Sequence, residues 1–416
     1  MADLHILHVV PRWNHGGAAP SVVLEAKYAQ QTRSRVIHRV LVLEPGGSTA
    51  VVREALRWGL RLDLAPGRED EATLVHAAHV VVLHFWNAPS VRRFLDRWRG
   101  VPLRWVLHSL VNGRHRPQRL PPVLCASASH VVLTNPLLRD VAGHDRVTLI
   151  PAVADLHSTS PDAPHPVGGA ILHAGTINVF KLSPHFVPLH APVADPANPV
   201  LVAGSGGDEE RFDAEAASLG IAAGFRWLGF RFDLPAVFAG ARLLSYPVSP
   251  FTYASADRVI QMSQAAGVPV LVQRDAPVAH LIRDGVTGIL AEDLDDFQRR
   301  LVAISAGREE LPDRRTVSEA ARLDHDAGRK HVQWESVYRS VEAGSARALD
   351  DGFPTLASWI DYQVGDVEEL RDARRPPLSA LRDPSVLARH QRWGCEGGLA
   401  QYINSFPELA RAGAHR

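Results

Sequence analysis

The chain has 416 residues, 46% of them hydrophobic and 22% charged, with 45 Lys and Arg balanced by 45 Asp and Glu. One hydrophobic core rarely grows past about 250–300 residues, so two domains are expected. The even charge argues against nucleic acid as the main partner, because phosphate binding normally shows as a basic excess. In the first half, short apolar runs at Ile6–Val10, Arg39–Leu43, Val80–His84, Leu103–Leu107, His130–Thr134 and Val147–Pro151 alternate with helix-like stretches. That alternation predicts βαβ units and a parallel sheet. Asp155–Pro164, rich in Ser, Pro and Asp, reads as an interdomain linker. The pattern then restarts with runs at Gly169–His173, Pro199–Ala203, Phe225–Leu228, Ala241–Ser245, Val268–Val272 and Val286–Leu290. Leu323–Ala346 reads as helix, and Asp351–Arg416 mixes Pro, Arg and aromatics without a readable role.

In open parallel sheets, ligands bind outside the carboxyl ends of the strands, so the turns after these runs carry the chemistry. The first turn holds Gly16-Gly17 before a helix. Its backbone amides could approach an anion there, or the glycines could simply make a tight turn. The spacing is not G-x-G-x-x-G, so no nicotinamide cofactor is expected. His108 and His84 each stand at the end of an apolar run, and His15 lies in the glycine turn. A histidine so placed could hydrogen-bond a ligand or be a satisfied strand-end residue. Lys27, Lys181 and Lys330 are the only lysines, which singles out Lys181 in a turn after a strand. Asp208-Glu209-Glu210 and Glu292–Asp296 read as solvated helix starts. No Asp-x-Asp follows a strand, and no metal site is expected; no Walker or G-x-S-x-G motif is present. Cys125 and Cys395 are too few for a disulfide framework. With no leader-like start and no long apolar stretch, a cytoplasmic chain without a membrane span is expected.

The order of these segments resembles the retaining glycosyltransferases of GT-B family 4, the glycosyltransferase group 1 proteins. The Gly-Gly turn resembles their opening. Leu107-His108-Ser109 resembles their strand with a His near the donor sugar, and Val147–Asp155 their interdomain segment. Gly175-Thr176 followed by Lys181 resembles their diphosphate-binding stretch, with Thr176 where Arg is usual. Arg12, Arg231 and Arg258 are candidate replacements for that Arg. Gly204-Ser205-Gly206, Leu228-Gly229, Ser245-Tyr246-Pro247, Ala265–Val270 and Ile282–Leu290 follow the family's order, as do Trp334 and Tyr338. The family's E-x7-E pair is absent, falling on Ala254 and Met262. Asp257 and Gln261 are the nearest polar replacements, with Ser255 as N-cap of the helix that follows.

The resemblance implies an α/β protein of GT-B architecture, with two Rossmann-like domains facing a central cleft. The expected domains are 1–160 on the acceptor side, 161–335 for the nucleotide sugar, and a segment 336–416 packing back on the first domain. It implies metal-independent transfer of a sugar from a nucleotide-diphosphate sugar to a small-molecule acceptor, with retention and without a cofactor. A specialised bacterial pathway, making an antibiotic sugar or a thiol conjugate, fits the divergent donor motif, and a homodimer is an allowed assembly. Alternatives are a GT-B-fold sugar-nucleotide epimerase and a catalytically silent sugar-nucleotide-binding homologue. The site implied is His108 and Lys181 for catalysis, with Gly16, Gly17, Gly175, Thr176, Lys181, Gly204, Ser255, Asp257 and Gln261 around the donor.

Overall fold

Runs of Val, Leu and Ile bounded by turns form strands buried on both faces, as a parallel sheet covered by helices requires. The computed structural model describes residues 3–116, 118–139, 146–152, 154–156, 169–349, 353–363 and 378–386. Most of the expected linker 155–164 and most of 364–416 lie outside the described residues. In chain order the first stretch comprises β1 (Leu4–Val10), α1 (Ala18–Gln31), β2 (Val36–Val42), α2 (Thr49–Arg57), β3 (Arg61–Leu64), α3 (Arg68–Ala77), β4 (Val80–Phe85), α4 (Pro89–Arg97), β5 (Trp105–Ser109), α5 (Pro122–Ser127), β6 (His130–Leu133) and β7 (Val147–Leu149). The second comprises β8 (Ala170–Thr176), α6 (Phe186–His190), β9 (Val200–Ser205), α7 (Glu209–Ser218), β10 (Phe225–Gly229), α8 (Leu234–Ala239), β11 (Ala241–Ser245), α9 (Arg258–Ala265), β12 (Val270–Gln273), β13 (Gly288–Ala291), α10 (Leu294–Ser305) and α11 (Arg314–Asp324). α12 (Ala327–Ala343) and α13 (Leu356–Gln363) follow.

The first unit holds the described residues up to 152 and those from 327 to 363. Its sheet is parallel, in the order β3-β2-β1-β4-β5-β6-β7. α12 lays Trp334, Val337, Tyr338 and Val341 against Leu4, Ile6, Val36, Val80, Val82, Val106 and Val132, one period-2 face of that sheet. Its residues 327–335 were expected to close the second domain and those from 336 to pack on the first, but the helix packs on the first unit as a whole, from Ala327 onward. The reason is local: the helix read as continuous over 323–346 is broken after α11, where the His325 ring turns inward to Gln264 at 3.0 Å. Further along, Arg347 exchanges backbone hydrogen bonds with Leu103, and Trp359 Nε1 donates to Asn87 Oδ1 at 3.1 Å.

The second unit holds 154–326 and the described residues 378–386. Its sheet is parallel, in the order β10-β9-β8-β11-β12-β13. Leu378 and Leu381 join its core beside Phe186, Phe212 and Leu243, so this part of the C-terminal segment does not sit on the first unit, where the whole of 336–416 was expected.

Each sheet reverses its strand order once, between β1 and β4 in the first and between β8 and β11 in the second. Such a switch point leaves a crevice at the strands' carboxyl ends, and it locates the turns that matter. β8 and β9 approach closely there, with Gly175 paired to Gly204. Gly175 has φ +151 and Gly204 φ +141, and a Cβ on Gly204 would stand 1.8 Å from the Gly175 carbonyl oxygen. Both strain and collision therefore demand glycine. Gly204→Ala is expected to cost at least ~2 kcal/mol, read as a lowered urea midpoint; an unchanged midpoint would remove this constraint.

Candidate functional site

The second unit's switch point gathers two loops, one after β8 and one after β11. Beyond Gly175 and Thr176 the chain folds into a turn held by side chains. Asn178 Oδ1 accepts from the backbone amides of Phe180 and Lys181, each at 3.1 Å, and Asp208 Oδ2 accepts from Val179 N at 3.0 Å. The Lys181 carbonyl accepts from Ser249 N at 2.9 Å, which ties this turn to the loop after β11. Both ends of the Lys181 backbone are thus fixed before its side chain is considered.

That side chain is mostly buried, and Lys181 Nζ lies 2.9 Å from Asp257 Oδ1. The other oxygen of Asp257 accepts from the Tyr246 hydroxyl at 2.7 Å. The Tyr253 ring lies under the ammonium at 5.7 Å. Burial pulls the Lys181 ammonium down, but the Asp257 carboxylate outweighs it and holds the proton above the usual lysine value. Burial and then Asp257 push the Tyr246 phenol well up, so it stays a donor. Tyr246 stacks on His173 at 5.4 Å between ring centres, and a Cβ on Gly175 would meet the Tyr246 oxygen at 3.3 Å. His173 Nδ1 donates to the Ser245 carbonyl at 3.0 Å; burial holds the ring at about 4, so it is neutral.

Asp257 stands at the N-cap of α9, yet its carboxylate makes no cap hydrogen bond because Lys181 and Tyr246 hold it. α9 itself is anchored at its other end. Ser318 Oγ donates to the Ala265 carbonyl at 2.7 Å and Arg314 Nη2 to the Ala266 carbonyl at 2.7 Å. These bonds hold the C-terminal end of α9, and the dipole at its start favours an anion beside Lys181.

Several expected residues are elsewhere. Gln261 is 0% exposed, and its Oε1 accepts from Ala154 N at 2.9 Å, so it secures the start of the second unit's chain rather than facing a ribose. Ser255 is buried and is not the N-cap, because the helix begins two residues later than that role needs. Met262 packs beside Leu156 and Ala265. His108 does not end its strand at a surface: β5 continues to Ser109, and the ring is 2% exposed between His84 and Trp334. Its burial removes it from direct contact with a ligand. Gly16 and Gly17 do follow β1 at the first unit's switch point, exposed, with Gly16 N donating to Asn14 Oδ1 at 2.9 Å. His15 lies 2.6 Å from Ser48 Oγ. Of the three arginines, Arg12 pairs with Glu44 and Arg231 pairs with Asp233 at 2.7 Å, while Arg258 sits half-buried beside Asp257, its guanidinium brought down by burial to about 10. Asp208 is buried rather than solvated, and Glu209 accepts from the amides of Gly206 and Gly207, both at 2.8 Å. No cluster of metal-ligating side chains occurs among the described residues.

Against known proteins, residues 183–306 match the family model described as glycosyl transferases group 1. No curated protein matches the chain. Among solved structures, HepE of Anabaena in complex with UDP and glucose is similar with a TM-score of 0.61 at 17% identity, covering 81% of this chain and 100% of that one. AviGT4, a glycosyltransferase involved in avilamycin A biosynthesis, gives 0.58 at 16% identity over 83% and 99%. Sucrose-phosphate synthase from Thermosynechococcus elongatus gives 0.59 at 16% identity over 82% and 99%. The fold is GT-B, two Rossmann-like units in one chain. With a group 1 segment in the second of them, the protein is a glycosyltransferase.

Asp257→Asn is expected to reverse the balance at Lys181. Burial is then opposed by Tyr253 alone, and the Lys181 titration is expected to move down. Only three lysines are present, so the three ¹³C-methylated side chains can be followed by NMR against pH. An unmoved Lys181 titration would show that Asp257 does not hold its charge.

Proposed function

We propose that the second unit's switch point binds the diphosphate of a nucleotide-sugar donor, with Lys181 as its cation and Gly175, Thr176, Gly204 and the start of α9 around it. The observation that carries this is the ion pair of Lys181 and Asp257 at the carboxyl end of the sheet, beside strands that only glycine lets approach. An ammonium neutralised by a single carboxylate in a confined place can exchange that partner for a phosphate oxygen. Asp257 is then left to accept from a sugar hydroxyl, and the Tyr246 hydroxyl to donate to the sugar or to a diphosphate oxygen. UDP in HepE makes uridine the first base to try.

In the reaction, the bond from the anomeric carbon to the diphosphate oxygen breaks as the acceptor's nucleophilic atom bonds to the same carbon. The acceptor's proton passes to the departing diphosphate. Charge builds on that diphosphate, and Lys181 with fixed backbone amides stabilises it without a metal. At the positions of the E-x7-E pair stand Ala254, buried, and Met262, so neither supplies a carboxylate nucleophile. Same-face attack, which gives retention, suits that arrangement. The acceptor is a small molecule of a specialised bacterial pathway, and the protein works in the cytoplasm. No helix among the described residues is long and apolar enough to cross a membrane.

Lys181→Ala alone would strand a mostly buried carboxylate, so the paired change Lys181→Met with Asp257→Asn is the cleaner test. It is expected to cut turnover about a hundredfold and to abolish the thermal shift with UDP, with little change in the urea midpoint. Wild-type turnover in the folded double variant would remove this site. Activity is also expected to survive EDTA; loss on chelation, restored by magnesium or manganese, would contradict metal-independent transfer. A product of inverted anomeric configuration by NMR would overturn retention.

A further inference from the structure

Four strands of the first sheet share one pattern, apolar-x-His: Leu4-x-Ile6-x-His8, Val36-x-His38, Val80-x-Val82-x-His84 and Val106-x-His108. The period of 2 puts the four rings on the face that α12 covers. They form one continuous row across β2, β1, β4 and β5. His38 Nδ1 lies 2.9 Å from His8 Nε2, His8 Nδ1 3.0 Å from His84 Nε2, and His84 Nδ1 3.0 Å from His108 Nδ1. All four residues are buried.

Counting protons shows what the row tolerates. Four neutral imidazoles carry four ring protons. Each of the three links takes one, and the fourth sits on an outer nitrogen, Nε2 of His38 or Nε2 of His108. Both of these atoms are buried and have no hydrogen-bond partner. A fifth proton must fill the other outer nitrogen. It makes an imidazolium whose new N–H meets no acceptor in an apolar setting, which is costly.

The lid over the row is α12. The Trp334 ring stands edge-on to His108 at 4.9 Å, and Tyr338 stands edge-on to His38 at 6.1 Å and to His8 at 6.4 Å. The charged groups around them are already committed. His331 of α12 pairs with Glu25 of α1 at 3.0 Å and with Glu335 at 3.7 Å, and Glu335 also accepts from Ser34 Oγ. No spare carboxylate of this set balances a charge in the row.

We propose that the histidine row is an acid-sensitive latch: α12 stays docked while all four rings are neutral, and lifts from the sheet when the row takes up a fifth proton. Burial holds His38 and His84 at about 3, and burial followed by neighbouring histidines holds His8 and His108 well below the usual range. These folded values lie below the unfolded value of 6.5, so the row's contribution is complete above about pH 6.5 and is lost as pH falls toward about 3. His331 works the other way. Burial opposes its charge, Glu25 outweighs burial, and its pairing is lost as pH rises; toward acid, burial also pushes the Glu25 carboxyl up, so the pair weakens there as Glu25 takes up a proton. Four groups against one leave docking weaker in acid.

Hydrogen exchange of the full chain, corrected for intrinsic rates, tests this directly. Peptides within 327–343 are expected to lose about tenfold in protection between about pH 7.5 and pH 5, while those of β4 and α4 keep theirs. If α12 keeps its protection, or exchanges only together with the whole unit, there is no latch. The variant His38→Asn with His108→Asn keeps a polar atom near each Nδ1 and removes both outer nitrogens. It is expected to move the release of α12 to lower pH by about one unit; an unchanged release pH in the folded variant equally overturns the proposal. Both readouts are independent of donor binding.

Discussion

A charge taken out of water needs a partner, and at the second unit's ligand end that constraint is met by one carboxylate shared between an ammonium and a phenol. Asp257 fixes Lys181 from one side and Tyr246 from the other. Through them it joins the turn after β8, the loop after β11 and the start of α9. Because the carboxylate is spent on these partners, it does not cap the helix it precedes. The site is therefore built around an anion of the protein's own, in the place where the fold would receive a ligand's.

The first unit handles buried polarity in the opposite way. Its row of imidazoles carries no neutralising carboxylate and stays uncharged, with each link between rings using a single proton. Packing of Trp334 and Tyr338 keeps water out. One unit thus holds a buried charge by pairing it, and the other holds a network of neutral rings.

Legibility in the sequence followed the range of the interaction. Lys181, Gly175, Gly204 and Asp257 were singled out because they sit in short segments whose order resembles a known family; the structure pairs Gly175 with Gly204 and Lys181 with Asp257 at the carboxyl end of the second sheet. The placement of Gln261 was not readable: one turn into α9, its side chain faces inward to Ala154, a contact 107 residues away. Asn178 and Asp208 were missed, and Asp208 was misjudged as a solvated helix start, since nothing local shows that it accepts from Val179. The histidine row was written in the strands as apolar-x-His. Taken one strand at a time, it looked like isolated strand ends. His108 was assigned to a ligand through the family resemblance of Leu107-His108-Ser109, and nothing in its own strand pointed to its neighbours in the row.

By itself, the sequence determined the alternation of strands and helices, two parallel sheets and the turns in which anion chemistry could occur. These follow from period-2 and period-3.6 patterning and from glycine's freedom at positive φ, all properties of neighbouring residues. Only the tertiary structure decided where the chain returns to its first unit, that Lys181 is neutralised by Asp257, and that four histidines from four strands form one row. Strand order and register bring residues 30 to 76 positions apart within 3.0 Å of each other, and a contact of that kind has no signature in either segment alone.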